Sequence, residues 1–230
     1  MTAGPQKKGM ARPQIAWRAA QDIPDGAIVN LGIGMPLGIP NYIPAEREVI
    51  LHSENGLLGM GPPAKEGEED WELVNAGTLA TTLLPGGSYF HHADSFAMIR
   101  GGHIDICALG AFQIAANGDL ANWNLGDGVR TPTVGGAMDL AVGAKRVFIL
   151  TDHNARDGGA KIVEECTLPL TGLTCVDRIY TDLAVIEVTA TGLVVLEHIE
   201  DMSFEELQDK TGAELQQSAD WKPLEAPDLD

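Results

Sequence analysis

The sequence predicts an α/β protein, a single domain built on an open, mostly parallel β-sheet that is covered by helices. Short, nearly continuous apolar runs recur along the chain, and such runs are typical of strands buried on both faces. Helical stretches separate several of these runs, and strands that alternate with helices favour a parallel sheet. The chain has 230 residues, 44% hydrophobic and 21% charged, which provides one sizeable core and excludes a disordered or fibrous protein.

The first predicted helix covers residues 10–22, where apolar side chains recur at helical spacing, and it ends before the turn Pro24-Asp25-Gly26. Two later helices are predicted over residues 94–100 and 137–144. The apolar runs that predict strands span residues 27–33, 48–52, 103–109, 147–151, 184–188 and 193–196. Ligands bind at the carboxyl ends of parallel strands, so the residues after each of these strands are candidate site residues.

Turn and capping residues add detail to this pattern. Asn117-Gly118 and Thr191-Gly192 each separate two short runs and predict β-hairpins. The Ser-x-x-Glu spacing of Ser203 and Glu206 predicts a capping box at the start of a further helix. Residues 59–70, which combine prolines, glycines and acids, are predicted to form a loop.

We therefore expect one domain over residues 1–217, followed by an acidic, frayed tail over residues 218–230. Lys and Arg number 15 against 33 Asp and Glu, a formal charge of −18. Counterion release from a phosphate backbone needs basic residues, so nucleic acids and anionic membranes are excluded as partners. No apolar run approaches the roughly eighteen residues that cross a bilayer, and a cytoplasmic protein is expected. Three cysteines without a CxxC pair predict neither a disulfide framework nor a structural zinc site.

Glycine-rich segments mark the candidate binding loops. The segment from Gly32 to Gly38 resembles a dinucleotide fingerprint only superficially, because its third glycine comes one place late and Pro36 interrupts the helix turn that should follow. A stronger candidate is Glu54, which follows a buried strand and precedes Asn55-Gly56. The apolar strand and the glycine-rich loop together could remove water from this carboxylate, although a solvated or capping glutamate is the alternative interpretation.

The nonapeptide Leu-His-Ser-Glu-Asn-Gly-Leu-Leu-Gly at residues 51–59 resembles the active-site signature of family I coenzyme A transferases at every position. The resemblance extends from Asn30 to about Thr211, and the chain looks like a B (β) subunit of the 3-oxoacid CoA-transferases. Residues 71–77 and 89–94 are most similar to the 3-oxoadipate enzymes. The other segments that carry the resemblance span residues 94–103, 118–123, 135–139 and 166–172.

The resemblance implies that Glu54 is a nucleophile that carries the acyl group and then CoA. It also implies that the backbone N–H groups of Gly136 and Ala137 stabilise the oxyanion. Residues beside Glu54 would support the active-site loop, namely Ser53, Asn55 and Gly56. The coenzyme A thioester would be a substrate, with no permanently bound cofactor, and an A (α) subunit would complete an α2β2 heterotetramer.

Several other residues are weighed as site candidates. His91, His92, Asp94 and His103 match no metal-ligand spacing, so no metal is predicted. The sequence has no Gly-x-Ser-x-Gly motif, which argues against a serine hydrolase. Asp152-His153 follows a predicted strand and is a minor candidate for contact with substrate.

The acceptor acid and two rival functions stay open. A 3-oxoadipate acceptor needs a cation for its distal carboxylate, which Arg100, Arg130 or the A subunit could supply, whereas acetoacetate or another short-chain 3-oxo acid needs none. One rival is a sugar-phosphate isomerase-like enzyme with Glu54 as general base. The other is a noncatalytic partner subunit.

Overall fold

A computed structural model describes residues 9–126, 128–129, 131–132 and 135–229 of the chain. In chain order its elements are α1 (Arg12–Gln21), β1 (Ile28–Leu31), a 3-10 helix (Met35–Tyr42), β2 (Ile50–Ser53), β3 (Leu57–Pro63), β4 (Thr81–Tyr89), α2 (His92–Arg100), β5 (Ile106–Leu109), β6 (Gln113–Ala115), β7 (Leu120–Ala121), α3 (Ala137–Gly143), β8 (Arg146–Leu150), β9 (Ile162–Val163), β10 (Arg178–Tyr180), β11 (Ala184–Thr189), β12 (Gly192–His198), α4 (Phe204–Asp209) and β13 (Leu215–Pro223).

Ten strands form one sheet in the order β13-β12-β11-β10-β8-β5-β1-β2-β3-β4. The five central strands, from β10 to β2, are parallel, whereas antiparallel pairs extend the sheet on both sides. This confirms the α/β fold with a mostly parallel central sheet. The parallel register places Asn30 opposite His52 on one side and opposite Cys107 on the other.

Helices cover both faces of the sheet and bury two apolar clusters. On one face, Ile15 and Ala19 of α1 pack with β1, β8 and β10. On the other face, Ile99 of α2 and Leu140 of α3 pack with residues of β5, β8 and β10. Since each face of the central strands is buried, their sequences are continuous apolar runs instead of alternating patterns.

The turn and capping predictions are confirmed. Asn117-Gly118 joins the antiparallel strands β6 and β7, and Thr191-Gly192 lies at the junction of β11 and β12. At α4 the Ser203 hydroxyl accepts from Glu206 N at 3.1 Å, and the Glu206 carboxylate accepts from Ser203 N at 2.9 Å. These features depend on neighbouring residues, which is why the sequence alone predicts them.

The expected frayed tail is wrong for its first residues. The chain from Leu215 to Pro223 pairs in parallel with β12 as an edge strand, and the following Leu224 is buried. Main-chain hydrogen bonds to β12 need no apolar side chains, so a polar sequence can still form an edge strand. The tail is thereby part of the folded domain as far as Leu224.

The loop expected over residues 59–70 also needs correction, because its first residues belong to β3. Strand β4, which the sequence analysis does not predict, pairs with β3 and contains Pro85-Gly86-Gly87. Edge strands tolerate proline, and the register shifts between β3 and β4 accommodate the glycines. The longest α-helix has ten residues, and no helix in the described part of the chain could span a membrane.

Candidate active site

Glu54 directly follows the carboxyl end of β2, in a tight turn over residues 53–56. The turn is closed by Gly56 N, which donates to Ser53 O at 2.9 Å. Gly56 has φ +123°, and a Cβ there would collide with the carbonyl oxygen of Phe90. Phe90 N in turn donates to Gly56 O at 3.0 Å. The glycine is therefore required both for the turn and for the close approach of the segment that leads into α2.

Asn30 of β1 connects the buried groups behind Glu54. Its Nδ2 donates to His52 Nδ1 at 3.0 Å and makes a long contact of 3.5 Å with Glu54 Oε2. Asn30 Oδ1 accepts a hydrogen bond from the Cys107 thiol at 4.0 Å. This contact agrees with the amide orientation in which Nδ2 faces His52. Because the amide donates to Nδ1, His52 carries its proton on Nε2 and donates it to Ser95 Oγ at 3.0 Å.

His52 is buried and uncharged at neutral pH. Burial lowers its pKa from 6.5 to about 4, because the low-dielectric interior disfavours the imidazolium. His52 therefore orients the Asn30 amide and brings no positive charge near the Glu54 carboxylate. None of the ion pairs among the described residues includes Glu54.

The start of α3 lies next to the carboxylate. Gly136 caps this helix with φ −65°, and a Cβ built on it would lie 3.6 Å from Glu54 Oε1 and 2.9 Å from Phe96 Cζ. Ala137 lines the same cavity as Gly136 and Glu54. The structure thus brings together residues that are more than eighty positions apart in the sequence.

Glu54 opens into a cavity of about 470 Å³. Its walls come from the residues that follow β1, β5 and β8, which is the carboxyl edge of the parallel sheet. The lining residues are Arg12, Gly32, Ile33, Met35, Glu54, Leu109, Gly110, Ala111, Phe112, Asn122, Gly135, Gly136, Ala137, Leu140, Leu150, Thr151, Asp152 and Lys161.

The two polar neighbours of Glu54 hold a loop instead of lining this cavity. The Ser53 hydroxyl accepts from Ala76 N at 2.9 Å, and Asn55 Nδ2 donates to Val74 O at 2.7 Å. Both bonds tie residues 74–76 to the turn that carries Glu54. The part that the resemblance implies for Ser53 and Asn55 stays a prediction.

The structure separates the other candidates. Asp152 lines the cavity, but His153 is buried away from it, within 3.0 Å of Thr181 Oγ1 and 2.9 Å of Thr211 Oγ1. Arg100 is outside the cavity lining and pairs with Asp139 at 2.7 Å. Arg130 lies outside the described residues.

The histidines considered as metal ligands have structural contacts. His91 Nδ1 accepts from Ala93 N at 3.1 Å and caps α2, and the His92 ring packs edge-on against Phe96. Within the described ranges, no three His, Cys, Asp or Glu side chains are grouped so that they could hold a metal ion.

Sequence reasoning missed the parts of Asn30, Arg12 and Lys161 in this site. Asn30 is one polar residue in an apolar run, a signal that could have been used. Lys161 is an isolated basic residue in a polar segment. Arg12 belongs to a basic stretch with Lys7, Lys8 and Arg18 that contains no acid, a pattern that indicates an interaction edge or a solvated helix start.

Comparison with known proteins identifies the family of the chain. Residues 13–210 match the family model described as coenzyme A transferase. The chain is 64% identical over 206 residues to the B subunit of the 3-oxoadipate CoA-transferase of Acinetobacter baylyi, covering 90% of this chain and 95% of the relative. It is 58% identical over 208 residues to the protein of the same name from Pseudomonas putida, covering 90% and 97%.

Among solved structures, the acyl-CoA transferase of Escherichia coli O157:H7 superimposes with a TM-score of 0.72 at 20% identity, over 98% of this chain and 44% of that one. This likeness concerns the fold alone. With the family model matching most of its length, the chain belongs to the coenzyme A transferase family.

Proposed function

We propose that this chain is the catalytic B subunit of an enzyme that moves CoA from succinyl-CoA to a 3-oxo acid, with 3-oxoadipate as the favoured acceptor. The observation that carries the proposal is the half-buried Glu54 carboxylate, which faces Gly136 at the mouth of a cavity and has no cationic partner among the described ion pairs. The names of the relatives from Acinetobacter and Pseudomonas support the acceptor. The proposed enzyme is cytoplasmic.

In the proposed reaction, a Glu54 oxygen attacks the thioester carbonyl of succinyl-CoA and expels the CoA thiolate, which leaves an acyl-glutamyl anhydride. The thiolate then attacks the glutamyl carbonyl, forms a glutamyl-CoA thioester and releases succinate. The acceptor acid reverses both steps. A carboxylate suits this task because its acyl adduct is as reactive as the thioester that it replaces, so the activation is conserved.

Each step places negative charge on a carbonyl oxygen. The backbone N–H groups of Gly136 and Ala137 are the proposed donors for this charge, since the first N–H groups of a helix have no partner within the helix. Losing one such donor typically costs about 3 to 4 kcal/mol of activation free energy. The reaction needs no general base, because a carboxylate oxygen attacks without giving up a proton.

The proposed assembly contains an A subunit, and an α2β2 heterotetramer is the stoichiometry that we expect. The relatives from Acinetobacter and Pseudomonas are each named as the B subunit of a transferase, which supports a partner supplied in trans. The CoA thioester enters as a substrate, and no resident cofactor is part of the proposal. An acetoacetate or other short-chain 3-oxoacid transferase is the alternative within the same chemistry.

The proposal is tested by the intact mass of this chain after it is mixed with its A subunit and succinyl-CoA, followed by peptide mapping. We expect a CoA adduct on Glu54 that 3-oxoadipate discharges. The Glu54→Gln variant is the control, which should take up no CoA. A folded complex that binds CoA but forms no adduct would favour an isomerase-like enzyme, and transferase activity that survives Glu54→Gln would favour a noncatalytic subunit.

The acceptor is tested separately through kcat/KM with two acids. In a complex that forms the adduct, 3-oxoadipate should exceed acetoacetate in kcat/KM. The reverse order would leave the mechanism intact and assign the chain to the short-chain 3-oxoacid transferases.

A further inference from the structure

Lys161 is a basic residue in the wall of the Glu54 cavity that neither the sequence motifs nor the proposed chemistry uses. It precedes β9, and its Nζ donates to the hydroxyl of Thr151 at 2.7 Å. Thr151 follows β8 and is buried, so it holds the lysine amine in one place at the carboxyl edge of the sheet. The ammonium group is therefore positioned by the fold.

Charges of both signs surround Lys161. Asp152, an acid of the same wall, pairs with Arg12 at 2.8 Å. Burial lowers the pKa of Lys161, while Asp152 and Asp182 act in the opposite direction and Arg12 adds to the lowering. None of the ion pairs given by the described residues includes Lys161.

An ammonium group has three N–H donors, and the structure assigns one of them to Thr151. A half-buried cation of this kind gains more from an incoming anion than a solvated surface lysine does, because the site has already removed part of its water. The anion that best fits the remaining donors is a carboxylate that reaches the cavity as part of the substrate.

The position of Lys161 relative to Glu54 indicates which carboxylate this is. Both side chains line the same cavity, whose volume of about 470 Å³ falls in the ordinary range for a small-molecule site. Lys161, Arg12, Phe112 and Asp152 also line an adjoining cavity of about 940 Å³. Lys161 thus lies in the wall that the Glu54 cavity shares with this larger cavity.

We propose that Lys161 binds the distal carboxylate of a dicarboxylic acyl group whose other carboxyl reacts with Glu54. Lys161 is then a specificity-determining residue, and the site prefers dicarboxylic to monocarboxylic acids of the same length. The inference rests on the proposed function and deepens it. It adds Lys161 to the cations considered from the sequence for the distal carboxylate, among which Arg100 is already paired with Asp139.

The experiment compares two acceptors with the complex of this chain and its A subunit. The acids are 3-oxoadipate and 3-oxohexanoate, which have the same length and differ by a carboxylate in place of a methyl group. Because the two half-reactions of a ping-pong enzyme are separate, kcat/KM for each acid reports the acceptor half alone. The wild-type complex should prefer 3-oxoadipate.

Lys161→Met should lower kcat/KM for 3-oxoadipate by about 100-fold, because the distal carboxylate loses its desolvated partner. The value for 3-oxohexanoate should stay within about threefold, since its methyl group never meets the charge. Lys161→Gln retains a hydrogen-bond donor for Thr151 and should give the same pattern, and Lys161→Arg should restore part of the preference. Lys145→Met is the matched control, because Lys145 pairs with Asp105 at the opposite edge of the sheet.

Three results are distinguishable in this design. An equal loss for both acids in Lys161→Gln, or no loss for either, would overturn the inference and leave the proposed function standing. A wild-type complex that uses both acids equally would likewise overturn the inference and leave the proposed function standing. A wild-type complex that transfers CoA to neither acid would refute the proposed function, and the inference with it.

Discussion

Glu54 follows strand β2 and Glu197 lies within strand β12 of the same sheet, but the two carboxylates contact different partners. Glu197 of β12 is buried, accepts from Arg18 Nε at 2.8 Å and from Arg18 Nη2 at 2.7 Å, and lies 3.2 Å from Lys222 Nζ. Glu54 has a long contact with the Asn30 amide and a glycine helix start beside it. Among the described ion pairs, cations thus neutralise Glu197 but not Glu54.

The Glu197 side belongs to a charged cluster that attaches α1 to the sheet. Arg18 also donates to Asp22 at 2.9 Å, and Asp22 accepts from Arg178 at 2.9 Å. Burial alone would lower the pKa of Arg18, but Glu197 and Asp22 raise it above its ordinary value. A carboxylate held by two guanidinium hydrogen bonds is a poor nucleophile. The difference teaches that paired cations give Glu197 a structural role, whereas the reaction proposed for Glu54 requires a carboxylate without such a partner.

The largest expected effect is on activity. Glu54→Gln should reduce CoA transfer by on the order of 10⁴-fold, because the amide cannot form the covalent intermediates. The free energy of unfolding should change by less than about 1 kcal/mol, since no described ion pair is lost. Steady-state kinetics of the complex and urea unfolding of the chain measure the two quantities. If Glu54→Gln lost as much unfolding free energy as we expect for Glu197→Gln, the result would contradict the proposed contrast between the two glutamates.

Glu197→Gln should show the opposite pattern. Without Glu197, Arg18 keeps only Asp22 as a carboxylate partner among the described ion pairs, and Asp22 is shared with Arg178. Removing one partner of a buried pair typically costs about 3 to 5 kcal/mol. Urea unfolding at pH 7 checks the loss, with Glu205→Gln on the exposed side of α4 as the control that keeps wild-type stability. If Glu197→Gln were as stable as the wild type, the cluster would not hold α1 as we describe.

The third prediction concerns the pH dependence of the free energy of unfolding. It follows from two buried histidines, one of which, His52, lies near Glu54. Burial lowers the pKa of both His52 and His153 to about 4. The unfolded chain takes up protons near pH 6.5, whereas the folded chain does so near pH 4, so the stabilisation is complete above pH 6.5 and is lost as the pH falls towards 4. At 1.36 kcal/mol per pH unit, each histidine contributes about 3 kcal/mol to this change.

Urea unfolding between pH 7 and pH 5 tests this prediction. The slope of the unfolding free energy against pH gives the number of protons taken up on unfolding. This number should fall by about one in His153→Gln and should stay unchanged in His103→Gln, a substitution at an exposed position. Parallel curves for the wild type and His153→Gln would contradict a lowered pKa in the folded chain.

The smallest expected effect is that of Lys222, the exposed partner of Glu197. The side chain of Lys222 is 67% exposed, so water and salt screen its charge. Lys222→Met should lower the unfolding free energy by less than about 1 kcal/mol. A loss as large as that of Glu197→Gln would show that β13, and not Arg18, neutralises Glu197.

Local sequence predicted the features that depend on neighbouring residues. Glu54 at the end of an apolar run, Gly56 in the turn that follows it and the capping box at Ser203 each need only a few adjacent positions. The resemblance added Gly136 and Ala137, and the structure places these residues beside Glu54. These are the parts of the site that a reader of the sequence could name.

Tertiary structure decided the contacts between distant positions. The Asn30 contact with His52 depends on the register of two parallel strands, and Lys161 meets Thr151 only because the chain returns to the end of β8. The polar strand β13 forms because β12 offers an unpaired edge. Backbone hydrogen bonds and side-chain partners across a sheet join residues far apart in sequence. By itself the sequence therefore determined the position of Glu54 after an apolar strand and the glycine turn that follows it, and the fold decided what surrounds them.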